Sequence, residues 1–600
     1  WYGGYYGYGY NPYFYGYGYS PYYNGYAYNG IYTRRGISYN AGRRGTLLRN
    51  SSLLSGRSNA TRTTRSNTAV RPRTTTRTRS NSTTRPRVNT TTRPRTRTNT
   101  TRPRSNSTTR PRTNTTRPRT NTSRSSRSYS TPRSRFRALS GAFGALGGDL
   151  SAVSINPAGS AVFTSSHTTF TLENENIDNE TNYFNGRNTS SESNIDLTQG
   201  GAVFVFKNNR QDSPWKKFSV GINFENSKHY DDNWRASGVS QNSVDQYFLA
   251  NAQGLPLGEI SAFQDEYLED AYADIGSSYG FQHQQAFLGY YSGIFDPEFD
   301  TDDNFTGNYI SNIDQGNFNQ AYNYSATGYN GKVSFNAAAQ YTDDLYIGLN
   351  LNSHFLNYEK YTSFYESNEN PNSLVNEVYF DNILSSNGTG FSFQLGTIYK
   401  VTPELRIGLT YDSPTWMTIE EELIQDINTN YADPEIIYIS DIINVFPSYK
   451  LQTPSRFSSS IAYVFGQKGL ISFDYSTKDF SNTKFKPTSN TYFNQQNNAM
   501  SNLLTRANTY RIGGEYKIKQ FSLRGGYRFE ESPYKNGETI GDLTGYSFGL
   551  GYDFGNTVLD LAYSNSKQER NNQFFDVGFT NAANIDRTNS NVTLSLSFKL

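Results

Sequence analysis

The residue types that could do chemistry in this chain are sparse. Its four histidines, His167, His229, His283 and His354, are scattered with no metal-ligand spacing, and there is no cysteine. Disulfides, thiolate metal sites and a cysteine nucleophile are therefore excluded. Asp300-Thr301-Asp302-Asp303-Asn304 begins like a calcium loop, but Phe305 stands where an EF-hand needs glycine for its turn. No metal site, no cofactor and no catalytic constellation is expected, and the chain does not read as an enzyme. The charges with the most regular setting are Arg406, Asp474, Glu515, Arg524, Arg528, Asp553 and Asp560. Each falls on the polar phase of a segment that alternates polar and apolar residues. If Lys519-Gln520 is a two-residue turn, Glu515 sits directly opposite Arg524 across a hairpin. Such a pair on an enclosed face reads as structural.

The elements that must position these charges are strands. The last residues alternate cleanly, with Val592, Leu594, Leu596, Phe598 and Leu600 on one face and Thr593, Ser595, Ser597 and Lys599 on the other. Period two over about ten residues is the signature of a strand with one face in lipid. The pattern recurs near 161–172, 199–207, 217–225, 332–341, 345–357, 389–400, 404–412, 456–465, 469–477, 508–518, 521–530, 543–554, 557–566 and 589–600. That is fourteen, an even number, as a bacterial single-chain barrel requires. Connections alternate between short ones, such as Thr342-Asp343-Asp344 and Gly555-Asn556, and long ones, such as 226–331 and 413–455. A soluble β-sandwich has no reason to segregate loop length in this way, whereas outer-membrane barrels pair short periplasmic turns with long outer loops. No run approaches the roughly 20 apolar residues of a spanning helix. The expected fold is all-β: a 14-stranded antiparallel transmembrane β-barrel over residues 161–600, with a long acidic outer loop at 226–331.

Upstream lies a different kind of chain. Residues 1–148 hold 28 arginines, no lysine and no acid. The remaining 28 basic residues meet all 52 acids in 149–600, a net of −24 there. Residues 1–33 are Tyr/Gly-rich, with 14 tyrosines, and residues 34–137 are rich in Arg, Thr, Asn and Pro. The unit Thr-Thr-Arg-Pro-Arg recurs irregularly, with prolines at Pro86, Pro94, Pro103, Pro111 and Pro118, which argues against a stacked solenoid. With almost no aliphatic residues after Leu54, this segment reads as a disordered polycation. Charge alone would draw it to anionic envelope polymers or lipid headgroups; nucleic acid is not the expected partner. By loop parity the tail is expected in the periplasm.

Between tail and barrel, Ala138-Leu-Ser-Gly-Ala-Phe-Gly-Ala-Leu-Gly-Gly-Asp149-Leu-Ser-Ala-Val-Ser-Ile-Asn156-Pro-Ala-Gly159 resembles the N-terminal hatch of the FadL/TodX family, in wording closest to its Bacteroidetes branch. Tyr399-Lys-Val-Thr-Pro-Glu-Leu-Arg-Ile-Gly-Leu-Thr-Tyr-Asp-Ser-Pro414, Leu451-Gln-Thr-Pro454, Gly514-Glu-Tyr516 and Leu523-Arg-Gly-Gly-Tyr527 follow in the family's order. The resemblance covers roughly residues 136–600. It implies outer-membrane transport of hydrophobic small molecules, long-chain fatty acids or aromatic hydrocarbons, through a plugged barrel. It also implies a hatch at 138–160 in which Gly141, Gly144, Gly147, Gly148, Asn156, Pro157, Ala158 and Gly159 fit the plug to the wall. A lateral exit would lie near the third strand, where Gly221 is the candidate for a bend that loses ladder bonds. Barrels similar to this family, PorV of the type IX secretion apparatus among them, instead bind or shuttle secreted proteins, and the residues leave that alternative open.

Overall fold

The computed structural model describes residues 36–41, 134–210, 212–299 and 307–600. The Tyr/Gly-rich segment, the Arg-Pro units and the Asp300–Asn304 run lie outside the described residues. In chain order a short strand, β1 (Gly36–Tyr39), is followed by helices α1 (Ser134–Ala138) and α2 (Leu150–Ile155) and a 3-10 turn, Pro157–Val162. The wall then begins with β2 (His167–Tyr183), β3 (Gly186–Lys207) and β4 (Trp215–His229), which continues as β5 (Asp232–Ser240). Helices α3 (Asp245–Ala252), α4 (Leu268–Tyr279) and α5 (Phe281–Tyr291) come next, with a small pair, β6 (Phe295–Pro297) and β7 (Tyr309–Ser311). The wall resumes with β8 (Phe318–Tyr341), β9 (Leu345–Ser367), β10 (Glu377–Lys400) and β11 (Leu405–Asp412), continued by β12 (Trp416–Thr429). It goes on through β13 (Ile442–Gln452), continued by β14 (Arg456–Val464), and β15 (Gly469–Asp479), continued by β16 (Lys484–Lys486). After α6 (Thr491–Leu503) come β17 (Arg506–Ile518), β18 (Phe521–Glu530), β19 (Ile540–Asp553), β20 (Thr557–Gln573) and β21 (Ala582–Lys599).

With the interrupted strands counted as single spans, the wall is a closed antiparallel barrel of 14 strands. The seam pairs the first span with the last, from His167↔Lys599 to Asn182↔Asn584. The alternation in β21 works as its residues dictate: Val592, Leu594 and Leu596 are exposed on the outside, while Thr593, Ser595 and Ser597 are buried inside. Among the described residues no helix is long and apolar enough to cross a membrane.

Several expectations need correction. The strands are longer than their apolar alternation, because residues 173–198, 358–388 and 413–455 are largely paired strand rather than loop. Beyond the apolar band the outward positions are polar too, as at Asp178 and Glu180, so the periodicity that marks the lower wall is lost although the ladder continues. The first span starts at His167, not at 161, because Asn156 caps the turn at Pro157–Val162 by accepting from the Ala158 N–H. The region 226–331 is not one loop. It extends the wall as β5 and then folds α3, α4 and α5 into the mouth, where Phe248, Tyr272, Phe287 and Tyr291 join a core with Phe364 and Phe380 of the wall.

The span assigned to the tail also contains ordered structure. β1 pairs parallel with β13 from Gly36↔Ile442 to Tyr39↔Val445. The reason is an open edge: β16 covers β13 only at Lys450–Gln452, so the upper part of β13 has backbone groups to offer. Ile37 and Tyr39 point outward, while the Ser38 hydroxyl donates to Ala273 O at 2.8 Å and Asn40 Nδ2 donates to Gln284 Oε1 at 2.6 Å. Residues 36–41 thus sit on the long-loop side of the barrel, which corrects the expectation of a tail lying wholly on the short-turn side.

Candidate functional site

The lumen is closed by a plug built from α1, α2 and the 3-10 turn. Its first anchor is a four-charge network. Glu515 and Arg524 face each other across the β17–β18 hairpin as their spacing required, with Arg524 Nε donating to Glu515 Oε2 at 2.6 Å. Arg524 Nη1 also donates to Asp560 Oδ1 at 2.7 Å. Arg135 of α1 completes the set, its Nε donating to Glu515 Oε2 at 2.8 Å and its Nη2 to Oε1 at 3.2 Å. Two guanidiniums stand against two carboxylates in a nearly dry site, with the half-exposed Lys517 Nζ 3.7 Å from Glu515 at its edge, and such pairing is the condition for burying ions at tolerable cost. Arg137 Nη2 adds a bond to Glu173 Oε2 at 2.6 Å. Ser134 ties the same helix to β21 through Ser595 Oγ and Thr593 O, both at 2.8 Å.

Other lumenal charges hold plug backbone. Asp474 Oδ2 accepts from the N–H groups of Phe143 and Gly144 at 2.9 and 2.8 Å, and Arg406 Nη1 donates to Leu146 O at 3.2 Å. Arg528 lies beside Gly545 rather than in this network, and Asp553 is at the short-turn end, where Lys599 Nζ reaches it at 3.2 Å. Gly147 and Gly148 have φ of +67° and +68°, two consecutive left-handed residues that a side chain would strain. A Cβ on Gly144 would lie 2.1 Å from Ser460 Oγ, so that approach to the wall needs glycine. Gly141 also has positive φ, and Gly159 packs on Ala152. Asn156 donates to Gly144 O and Thr397 O at 2.8 and 2.9 Å, joining plug to plug and plug to wall. Pro157 O accepts from Asn336 Nδ2 at 3.0 Å, and Ala158 is fully buried against Tyr346 and Ile398.

Sequence reasoning missed the plug's own cations, Arg135 and Arg137, because they were assigned to the tail. The signal was present as Ser134-Arg-Phe-Arg137 standing next to the hatch, with unpartnered acids on the inward phase of the wall. It also missed the wall amides: Asn350 donates to Val153 O at 2.7 Å, and Gln394 to Ser154 O and Ile155 O at 3.1 and 3.0 Å.

At Gly221 the structure departs from expectation. The register runs unbroken through Val203↔Gly221 and Gly221↔Asn336, and the irregularities of β4 lie at Trp215/Lys217 and Asn226/Lys228. No bend with lost ladder bonds exists there. A Cβ on Gly221 would meet Ala202 O at 3.2 Å and Val203 Cγ2 at 3.3 Å, so glycine relieves crowding within the sheet.

The wall is interrupted elsewhere. Ser413-Pro414-Thr415 separates β11 from β12, Thr453-Pro454-Ser455 separates β13 from β14, and Phe480–Thr483 separates β15 from β16. Proline cannot donate to a ladder, and the three breaks lie side by side across adjacent spans as one crease. Side chains patch it: Thr415 N donates to Thr453 Oγ1 at 3.0 Å and Phe393 N to Ser413 Oγ at 2.9 Å. Inside the crease is a polar cavity of about 130 Å³ lined by His354, Asp412, Arg456, Lys478 and Glu530 among others. Outside, just toward the short-turn end, is an apolar concavity of about 640 Å³ lined by Phe218, Leu349, Leu395, Leu409, Tyr411 and Phe457. Neighbouring residues of one strand, Asp412 and Tyr411 or Arg456 and Phe457, face these two spaces in turn.

Residues 129–599 match the family model described as outer membrane protein transport protein (OMPP1/FadL/TodX). Among solved structures, a Pseudomonas aeruginosa FadL homologue aligns at 12% identity over 78% of this chain and 98% of its own, with a TM-score of 0.47. The Ralstonia pickettii toluene transporter TbuX aligns at 14% identity over 77% and 98%, with a TM-score of 0.37. The P. putida toluene transporter TodX aligns at 12% over 78% and 97%, with a TM-score of 0.38. No curated protein matches the chain.

Proposed function

Because this chain belongs to the outer-membrane transport-protein family of OMPP1, FadL and TodX, we propose that it carries hydrophobic small molecules, long-chain fatty acids or aromatic hydrocarbons, inward through its plugged barrel and out through the wall. The observation that carries this reading is the pairing of a filled lumen with a creased wall. The plug occupies the axis and is bonded to the wall on several sides, so an axial water-filled route is blocked. An apolar solute gains roughly 25 cal/mol per Å² by staying out of water. Leaving sideways avoids returning it to an aqueous compartment. The crease at Pro414 and Pro454 interrupts the ladder on adjacent spans, and the apolar concavity lies against it on the outer face. These features support an exit here rather than at Gly221. No bond is made or broken in such passage, and no catalytic group is required.

The test is a reversible lock. The chain has no cysteine, so a Thr415→Cys/Thr453→Cys pair would be its only thiols, on neighbouring strands whose backbones bond at 3.0 Å. Oxidation should slow uptake of labelled oleate or toluene by cells expressing the variant, and reductant should restore it. Equal uptake in the oxidised and reduced forms, with the disulfide verified, would remove the exit from this position. No uptake by the unmodified protein of either compound would count against hydrophobic transport itself.

A further inference from the structure

We propose that Asp196, His229 and Asp231 form a binding site for a divalent cation of the zinc class on the long-loop side of the barrel. The three residues come from β3, the end of β4 and the two-residue break before β5. One ligand atom from each lies within 4.8 Å of the others. Two of them are already at ligand spacing, since His229 Nδ1 and Asp196 Oδ2 are 3.4 Å apart. Ligands about 2.1 Å from a tetrahedral zinc are separated by roughly that distance.

The backbone makes the cluster deliberate. β8 pairs with His229 through Tyr329 and with Asp232 through Ala326, so the break at Tyr230-Asp231 faces an irregular stretch at Gly328. Gly328 has φ of +118°, and a Cβ there would lie 2.3 Å from Asn357 O. Only glycine suits that position, and its O accepts from Tyr230 N at 2.8 Å while its backbone N–H bonds Asp231. The loop that carries Asp231 is thereby fixed beside the imidazole.

The imidazole is turned into the cluster. Its side chain is 8% exposed, and Nδ1 is the nitrogen that faces Asp196. The carboxylates of Asp196 and Asp231 converge on this ring, the three ligand atoms lying within 4.8 Å of one another. Asp196 is 41% exposed, which leaves the open side an ion needs for entry and for a completing water. One nitrogen and two carboxylates suit zinc and its neighbours better than magnesium or calcium, which take oxygen alone. The sequence hid this site: His229 and Asp231 are two residues apart in the chain, but Asp196 joins them only through the sheet, so the proposal departs from the expectation of no metal site.

The experiment is calorimetric titration of zinc chloride into the purified full chain in detergent, alongside Asp196→Asn and His229→Gln. All three proteins are first checked for heat-modifiable migration. The expected result is one saturable site per chain in the unmodified protein, weakened about tenfold or more in each variant. A weak, non-saturating response is what scattered surface acids give, and it would overturn the site. So would identical binding in the unmodified protein and the Asp196→Asn variant, whose half-exposed position makes misfolding an inadequate explanation.

Discussion

Glu515 is held by two guanidiniums, and its neutralisation separates their roles. In Glu515→Gln, Arg524 keeps Asp560, but Arg135 loses its carboxylate while staying mostly buried. Breaking a buried pair on one side costs about 3–5 kcal/mol; the lower end applies here, because Arg135 retains some access to water. The folded band in heat-modifiable electrophoresis should convert at lower temperature, and the plug should loosen enough to raise single-channel current in planar bilayers. An unchanged conversion temperature and current would mean that the network does not hold the plug. Half of this site could be read from the chain, because a two-residue turn makes Glu515 and Arg524 opposite by counting. The other half could not. Arg135 lies 380 residues from Glu515, and only closure of the barrel brings it near.

At the scale of elements, legibility followed the solvent. In the lower wall, one face meets an apolar surrounding and the other a packed lumen, so β21 and β19 show their pleat in residue types. In β2, Glu173-Asn-Glu-Asn-Ile-Asp-Asn-Glu180 is as fully paired as β21, yet nothing in its hydropathy says so, because water lies outside it. β1 is four residues long and owes its form to the uncovered edge of β13, which no local pattern announces. Its register gives a test. Ser38 pairs with Asn444, and Ser38→Pro would remove an N–H and impose a fixed φ. Trypsin should then cut the folded protein faster after Arg35 and Arg43, seen by mass spectrometry as earlier release of the peptide 36–43. The same cleavage rate in both proteins would mean that the strand does not protect its flanks.

For the whole molecule, the dividing line between tail and barrel is not where composition changes. Removing residues 1–133 should leave heat-modifiable migration intact, since the plug anchors begin at Ser134. Removing residues 1–138 takes away Arg135 and Arg137 and leaves Glu515 and Glu173 short of cations, so its folded band should convert at clearly lower temperature. Equal behaviour of the two truncations would place the boundary back at the hatch. The docking of α1 on β21 carries a further consequence, for the order of assembly. Ser134 is bonded to Ser595 across 461 residues, and the seam joins the first span to the last in the same strand. Nothing of either contact can form until the final strand has been made and delivered. A plug that rests on the last strand is therefore the final piece to seat, and a chain truncated near its end would lose its closure and its stopper in a single step.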